Sequence, residues 1–192
     1  KKEKISMEAE TPFQKVETFH KTFDPRRPEI PTAFTENEAH TRAAFKIEEL
    51  VEFVAATSPN KEQLHEAVML LHEALDKAEE KILGKTQWGS DPLVEQVDAL
   101  TDILYFTYGS FSLLGIVPDR IFEIVHQANM GKLFPDGKPH YDPVTNKVLK
   151  PENWQMEYAP EPKIAAEIQR QIQEAIAKKK SADIGMCTNE KE

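Results

Sequence analysis

The stretch LVEQVDALTDILYF, residues 93–106, constrains this chain more than any other. It has the length and apolar content of a buried helix, yet it contains Glu95, Asp98 and Asp102 and no basic residue to pair with them. An ionised carboxylate taken out of water costs several kcal/mol unless a cation or a set of donors compensates it. On a helical wheel Asp98 lies about 60° and Asp102 about 20° to one side of Glu95, so the three acids make one narrow stripe. Val94, Val97, Leu100, Ile103 and Leu104 occupy the rest of the circumference. A helix apolar on most of its faces turns such a stripe toward a cleft or an interior.

The same arrangement recurs in IEELVE, residues 47–52, where Glu48, Glu49 and Glu52 share a side and Ile47, Leu50 and Val54 mark the packing faces. Alone, this would be an ordinary solvated face. Two acid ledges on two helices repel each other unless divalent cations lie between them. Ligation by carboxylate oxygen favours Mg²⁺, or Mn²⁺, over zinc. Histidine is absent from both stripes, unlike the Glu-x-x-His pairs of di-iron bundles.

Periodicity makes the whole chain helical. Thr35 and Glu38 form a capping-box pattern ahead of Ala39, Ala43, Ile47, Leu50, Val51 and Val54. A second amphipathic helix is predicted over 61–83, with Leu64, Val68, Leu71, Leu75, Ala78 and Ile82 inward and Gly84 as its stop. Asp91 as N-cap and Pro92 at the first helical position start the helix of the opening stretch, which Gly115 should end. A further helix begins at Pro118, and a last one carries Ile164, Ile168, Ile172 and Ile176 with lysines at its negative end. A short helix over 12–20 is possible on the same grounds, and the proline-rich 24–31 is a connector. The turn-rich 133–154 offers one small hairpin, KPHYDPVTNKVL. The expected fold is an all-α antiparallel bundle: tail 1–11, a single domain 12–180 and tail 181–192.

Composition excludes other classes. The formal net charge of −9 disfavours nucleic acid and anionic membranes as partners. The greasiest segment, 103–117, is broken by Gly109, Ser110, Ser112 and Gly115, short of the roughly 18–20 apolar residues a membrane span needs. The one cysteine, Cys187, leaves no disulfide framework and suits a reducing compartment, so the cytoplasm is the expected location. His65 and His72 lack acidic partners at zinc-ligand spacing.

Glu49-x-x-Glu52 and Glu95-x-x-Asp98, followed by DILYFTYGSFSLLGI, FEIVHQANMGK and DGKPHYDPVTNKVLKPENW, resemble the all-α nucleoside triphosphate pyrophosphohydrolases of the MazG-like superfamily. The likeness is to the phosphoribosyl-ATP pyrophosphohydrolase-like and dimeric dUTPase-related subgroup, and it covers about residues 20–154. It implies Mg²⁺-dependent hydrolysis of a nucleoside triphosphate to monophosphate and pyrophosphate, with dUTP or dCTP as candidate substrates. Glu49, Glu52, Glu95, Asp98 and Asp102 are the expected metal ligands, and Glu48 or Glu49 the base that deprotonates water. Lys132, Lys138, Lys147 and Lys150 are candidates for the outer phosphates, and Asn129 and His126 for sugar or phosphate. Lys132 ranks first because it belongs to the string His126-x-x-Asn129-x-x-Lys132. Trp88 and Trp154 offer faces for a base, weighed against places in a core or interface. Two alternatives remain at this point: phosphoribosyl-ATP as substrate, and a metal-binding bundle without catalysis. The nearly all-round apolar helix points to a homodimer or higher homo-oligomer.

Overall fold

A computed structural model of the chain describes residues 9–85, 89 and 91–188, the side chains of 183–188 excepted. Trp88, Cys187 as a side chain, and the parts of the two expected tails at 1–8 and 189–192 lie outside the described residues. The elements are α1 (Pro12–Phe23), α2 (Glu36–Ala55), α3 (Lys61–Leu83), α4 (Pro92–Leu114), α5 (Asp119–Met130), the short α6 (Trp154–Glu157) and α7 (Glu161–Thr188). The all-α expectation holds. No single helix among the described residues is long and apolar enough to cross a membrane.

Local chemistry sets the ends. Thr35 accepts from the Glu38 amide while the Glu38 carboxylate accepts from the Thr35 amide at 2.9 Å, a capping box that fixes the start of α2. Thr11 and Gln14 do the same for α1, which begins at Pro12 and runs to Phe23, three residues past the expected 12–20. Asp91 Oδ1 accepts from the Leu93 amide at 2.9 Å to start α4. At the other end Gly115 adopts φ +71°, which only glycine takes without strain, and the Gly115 and Ile116 amides donate to the Ser112 and Phe111 carbonyls. The last helix continues past Lys180 to Thr188, so 181–188 are helical instead of tail. The expected hairpin reduces to one antiparallel bridge, Tyr141 with Val148.

The described residues gather into two compact units. One comprises Pro28–Tyr105, the other Lys1–Arg27 with Phe106–Glu192, and α4 passes from the first into the second. In the first, α2 and α3 pack as a helical hairpin, with Val51, Val54, Leu64, Val68 and Leu71 half-buried. Ile47, Leu50, Leu75 and Ile82, farther from the connecting loop, are exposed. The Gln96 side chain brackets the backbone of Phe34, accepting from its amide at 2.8 Å and donating to its carbonyl at 3.1 Å. No described residue of this unit is buried.

The second unit has a core. α5 packs on α1 and α7, burying Phe23, Ile121, Ala128, Trp154 and Ala159. Lys15 of α1 pairs with Glu123 of α5. Glu167 of α7 is buried but not alone: Arg170 donates to both its oxygens at 2.7 and 2.5 Å and Gln171 at 3.0 Å. Gln171 also brackets Val117 through two 2.9 Å hydrogen bonds, fastening α7 to the start of α5.

The Arg170 and Gln171 hydrogen bonds pull the Glu167 carboxyl from 4.5 down to about 2. A depressed carboxyl stabilises the fold fully above its unfolded value, and the contribution disappears as pH falls through the folded one. Stability should therefore decline as pH drops from about 4.5 toward about 2, and Glu167→Gln should flatten that slope. Urea denaturation curves across this range check it.

Candidate functional site

The candidate residues fall into two groups. The six acids all belong to the unit Pro28–Tyr105: Glu48, Glu49 and Glu52 on α2, and Glu95, Asp98 and Asp102 on α4. Glu95, Asp98 and Asp102, expected to face a cleft or an interior, are exposed in the single chain, as is the rest of that helix within the unit apart from the half-exposed Leu93 and Gln96. Its apolar faces are uncovered too, with Tyr105 76% exposed. The helical spacing is as read, and most of the helix surface is exposed in the single chain. Among the described residues, no three His, Cys, Asp or Glu side chains come together closely enough to hold a metal ion. The donor set, carboxylate oxygen throughout, has the chemistry of a hard divalent cation site.

The second group lies in the other unit and is tightly built. His126 and Asn129, one turn apart on α5, are half-buried and line an open groove of about 230 Å³ with Val16 and Phe19 of α1 and Phe122 and Val125 of α5. At the end of the helix, Lys132 donates to Asn129 Oδ1 at 2.7 Å. Gly131 stands between them for a steric reason: a Cβ there would overlap the Tyr158 ring. Burial, and then the nearby Lys150 ammonium, lower the Lys132 pKa from the usual 10.5.

The loop that follows is held by its own side chains. The Phe134 amide donates to the Lys138 carbonyl at 3.1 Å across a turn in which Gly137 has φ +74°. Asp136 accepts from the Lys138 amide at 3.0 Å and lies 2.9 Å from His140 Nε2. These contacts, His140 foremost, hold its carboxyl below the usual carboxylate range. Phe134 stacks on the His140 ring at 4.1 Å. Asp142 caps the next turn, accepting from the Val144 and Thr145 amides and the Thr145 hydroxyl. Tyr141 Oη donates to the Phe23 carbonyl at 2.7 Å, tying the loop to the end of α1. The loop then returns Lys150 to α5, where its Nζ sits 4.0 Å from the centre of the Trp154 ring. Lys138 and Lys147 are exposed on the loop.

Trp154 is no platform for a base. It is 6% exposed, and its Nε1–H donates to the Ala128 carbonyl at 2.8 Å. Its pairing with Lys150 went unread in KPENW because a four-residue spacing is informative in a helix and uninformative in a loop.

A family model for phosphoribosyl-ATP pyrophosphohydrolase matches residues 16–129, more than half of the chain and inclusive of both acidic motifs. The chain belongs to the phosphoribosyl-ATP pyrophosphohydrolase family. This places it in the MazG-like superfamily that the motifs resembled, as a pyrophosphohydrolase. A solved structure from Exiguobacterium sp. 255-15, named a "putative NTP pyrophosphohydrolase", superposes with a TM-score of 0.79 at 40% identity, over 88% of this chain and 99% of that one. No curated protein matches.

The lowered Lys132 pKa carries a stability consequence. The folded chain holds that proton less tightly than the unfolded one, so stability from this group rises with pH between the lowered value and 10.5. Lys132→Met should raise the thermal midpoint at neutral pH by about 2 °C and remove that dependence. Calorimetric melting at several pH values tests it.

Proposed function

We propose that the protein is a Mg²⁺-dependent nucleoside triphosphate pyrophosphohydrolase that converts an NTP or dNTP and water to the monophosphate and pyrophosphate, with dUTP or dCTP preferred. In this reading it removes unwanted nucleotides from the cytoplasmic pool. The observation that carries it is the family match across residues 16–129, which includes Glu49-x-x-Glu52 and Glu95-x-x-Asp98 in order and at helical spacing. The 40% identical Exiguobacterium structure supports the NTP class.

Glu49, Glu52, Glu95, Asp98 and Asp102 would hold the cations, Mg²⁺ or Mn²⁺. When bound, these supply charge neutralisation at the phosphates and acidify water. Glu49, or its neighbour Glu48, takes the proton of the attacking water as the new P–O bond forms. The α–β anhydride bond breaks, and its electron pair leaves on the departing phosphate oxygen. Attack at either phosphorus gives the same products. Lys132 and Lys150, with Lys138 and Lys147 on the adjoining loop, neutralise the outer phosphates, and Asn129 and His126 serve sugar or phosphate.

Incubation with Mg²⁺ and a nucleotide panel, resolved by anion exchange, should yield monophosphate and pyrophosphate; orthophosphate would refute the reaction. Glu49→Gln should lower turnover by about 10²–10⁴-fold with the helical signal intact. The family description favours one competing substrate, phosphoribosyl-ATP. Turnover of that compound and of no nucleoside triphosphate in the panel would select it.

The same reading includes a homodimer or higher homo-oligomer. A unit with no buried residue among those described, carrying an α4 whose Leu100, Ile103, Leu104 and Tyr105 are exposed, gains stability when a second copy covers that helix. Light scattering should give at least twice the 21.9 kDa of one chain. Leu104→Glu should shift the mass downward, and a wild-type monomer would refute the assembly.

A further inference from the structure

Two lysines lie at the C-terminal end of α5: Lys132 bonds the Asn129 side chain, Lys150 lies over the buried ring whose Nε1–H bonds the Ala128 carbonyl, and the charge of Lys150 is felt at Lys132. Lys132 is half-buried, bonded to Asn129 Oδ1, and no carboxylate pairs with it or with Lys150 among the described residues. Lys132 is partly desolvated and Lys150 exposed; their like charges repel each other, and an oligophosphate anion relieves this. The negative end of the helix tolerates the cations but repels an anion, so both ammonium groups are needed to reverse the local sign. Lys150 arrives from a long loop and has no hydrogen-bond acceptor among the described residues. What holds it is the Trp154 face, 4.0 Å below. That face is fixed in turn by the Nε1–H bond to the Ala128 carbonyl, one residue before Asn129.

We propose that Trp154 is a positioning residue: its buried indole holds the Lys150 ammonium beside Lys132, so that the two lysines grip a pyrophosphate-type anion. The choice of ligand rests on the pyrophosphohydrolase reading above; the role of the indole does not. Lys150 touches the anion, and Trp154 acts only through Lys150.

The test is a double-variant cycle read by calorimetry, titrating inorganic pyrophosphate into the full chain in EDTA. Lys150→Met should weaken binding about tenfold, and Lys150→Arg, which also stacks on an indole, should stay near wild type. Trp154→Phe, a smaller and weaker face, should cost about threefold where Lys150 is present and nothing in the Lys150→Met background. An equal cost in both backgrounds would make the ring merely structural and overturn the proposal. So would unchanged binding in Lys150→Met, or a wild-type chain that takes up no pyrophosphate. Should Trp154→Phe fail to fold, Trp154 emission in a Trp88→Phe background decides: pyrophosphate shifts it in the presence of Lys150 and not in Lys150→Met, and no shift in either sinks the idea. Because no turnover is measured, a chain that binds this way yet hydrolyses no nucleotide defeats the proposed reaction alone. A chain that hydrolyses nucleotides but shows additive variants defeats the role of Trp154 alone.

Discussion

The apolar circumference of α4 has to leave water, and most of it is exposed among the described residues. Leu100, Ile103, Leu104 and Tyr105 are exposed, as are Phe106 and Leu113, the latter 92% exposed. Each such side chain is worth about 1.5–3 kcal/mol when fully buried, so the uncovered set is large against the stability of an ordinary domain. The proposed homo-oligomer answers this constraint. It also bears on the chemistry, because the helix that must be covered is the one that carries Glu95, Asp98 and Asp102.

The other unit is governed by a different interaction. Trp154 joins the returning loop to the last turn of α5 through its bond to the Ala128 carbonyl, and Tyr158 closes the joint against Gly131. Around that joint the loop is self-supporting: Asp136 accepts from the Lys138 amide and Asp142 from the Val144 and Thr145 amides, satisfying backbone donors that water would otherwise serve. A loop made rigid by its own side chains can present cations in a defined place, which a flexible lysine-rich loop cannot do without an added entropic cost. The acids belong to the helices of one unit and the ammonium groups to the helix end of the other.

Much of this was legible in the sequence because its causes are local. Capping at Thr35, Asp91 and Gly115 is decided within a few residues, and helix boundaries follow from it. The i, i+3, i+7 placement of the α4 acids follows from the pitch of a helix and nothing else. The family likeness was equally readable, since it resides in the order of motifs. Other features were not: α7 continues to Thr188 through residues with no distinctive signal, and the loop 133–150 folds on hydrogen bonds between residues that no period links.

By itself, then, the sequence determined an all-α chain, the extents of its main helices, the acidic stripes and the family. Each depends on backbone geometry or residue order over short range. Only the tertiary structure decided that Trp154 is a buried anchor under Lys150 instead of a base platform, that Lys132 is partly desolvated beside Asn129, and that the α4 acids stand exposed on an uncovered helix. Burial, desolvation and contact between distant residues depend on what packs against what, and that is a property of the folded chain in three dimensions.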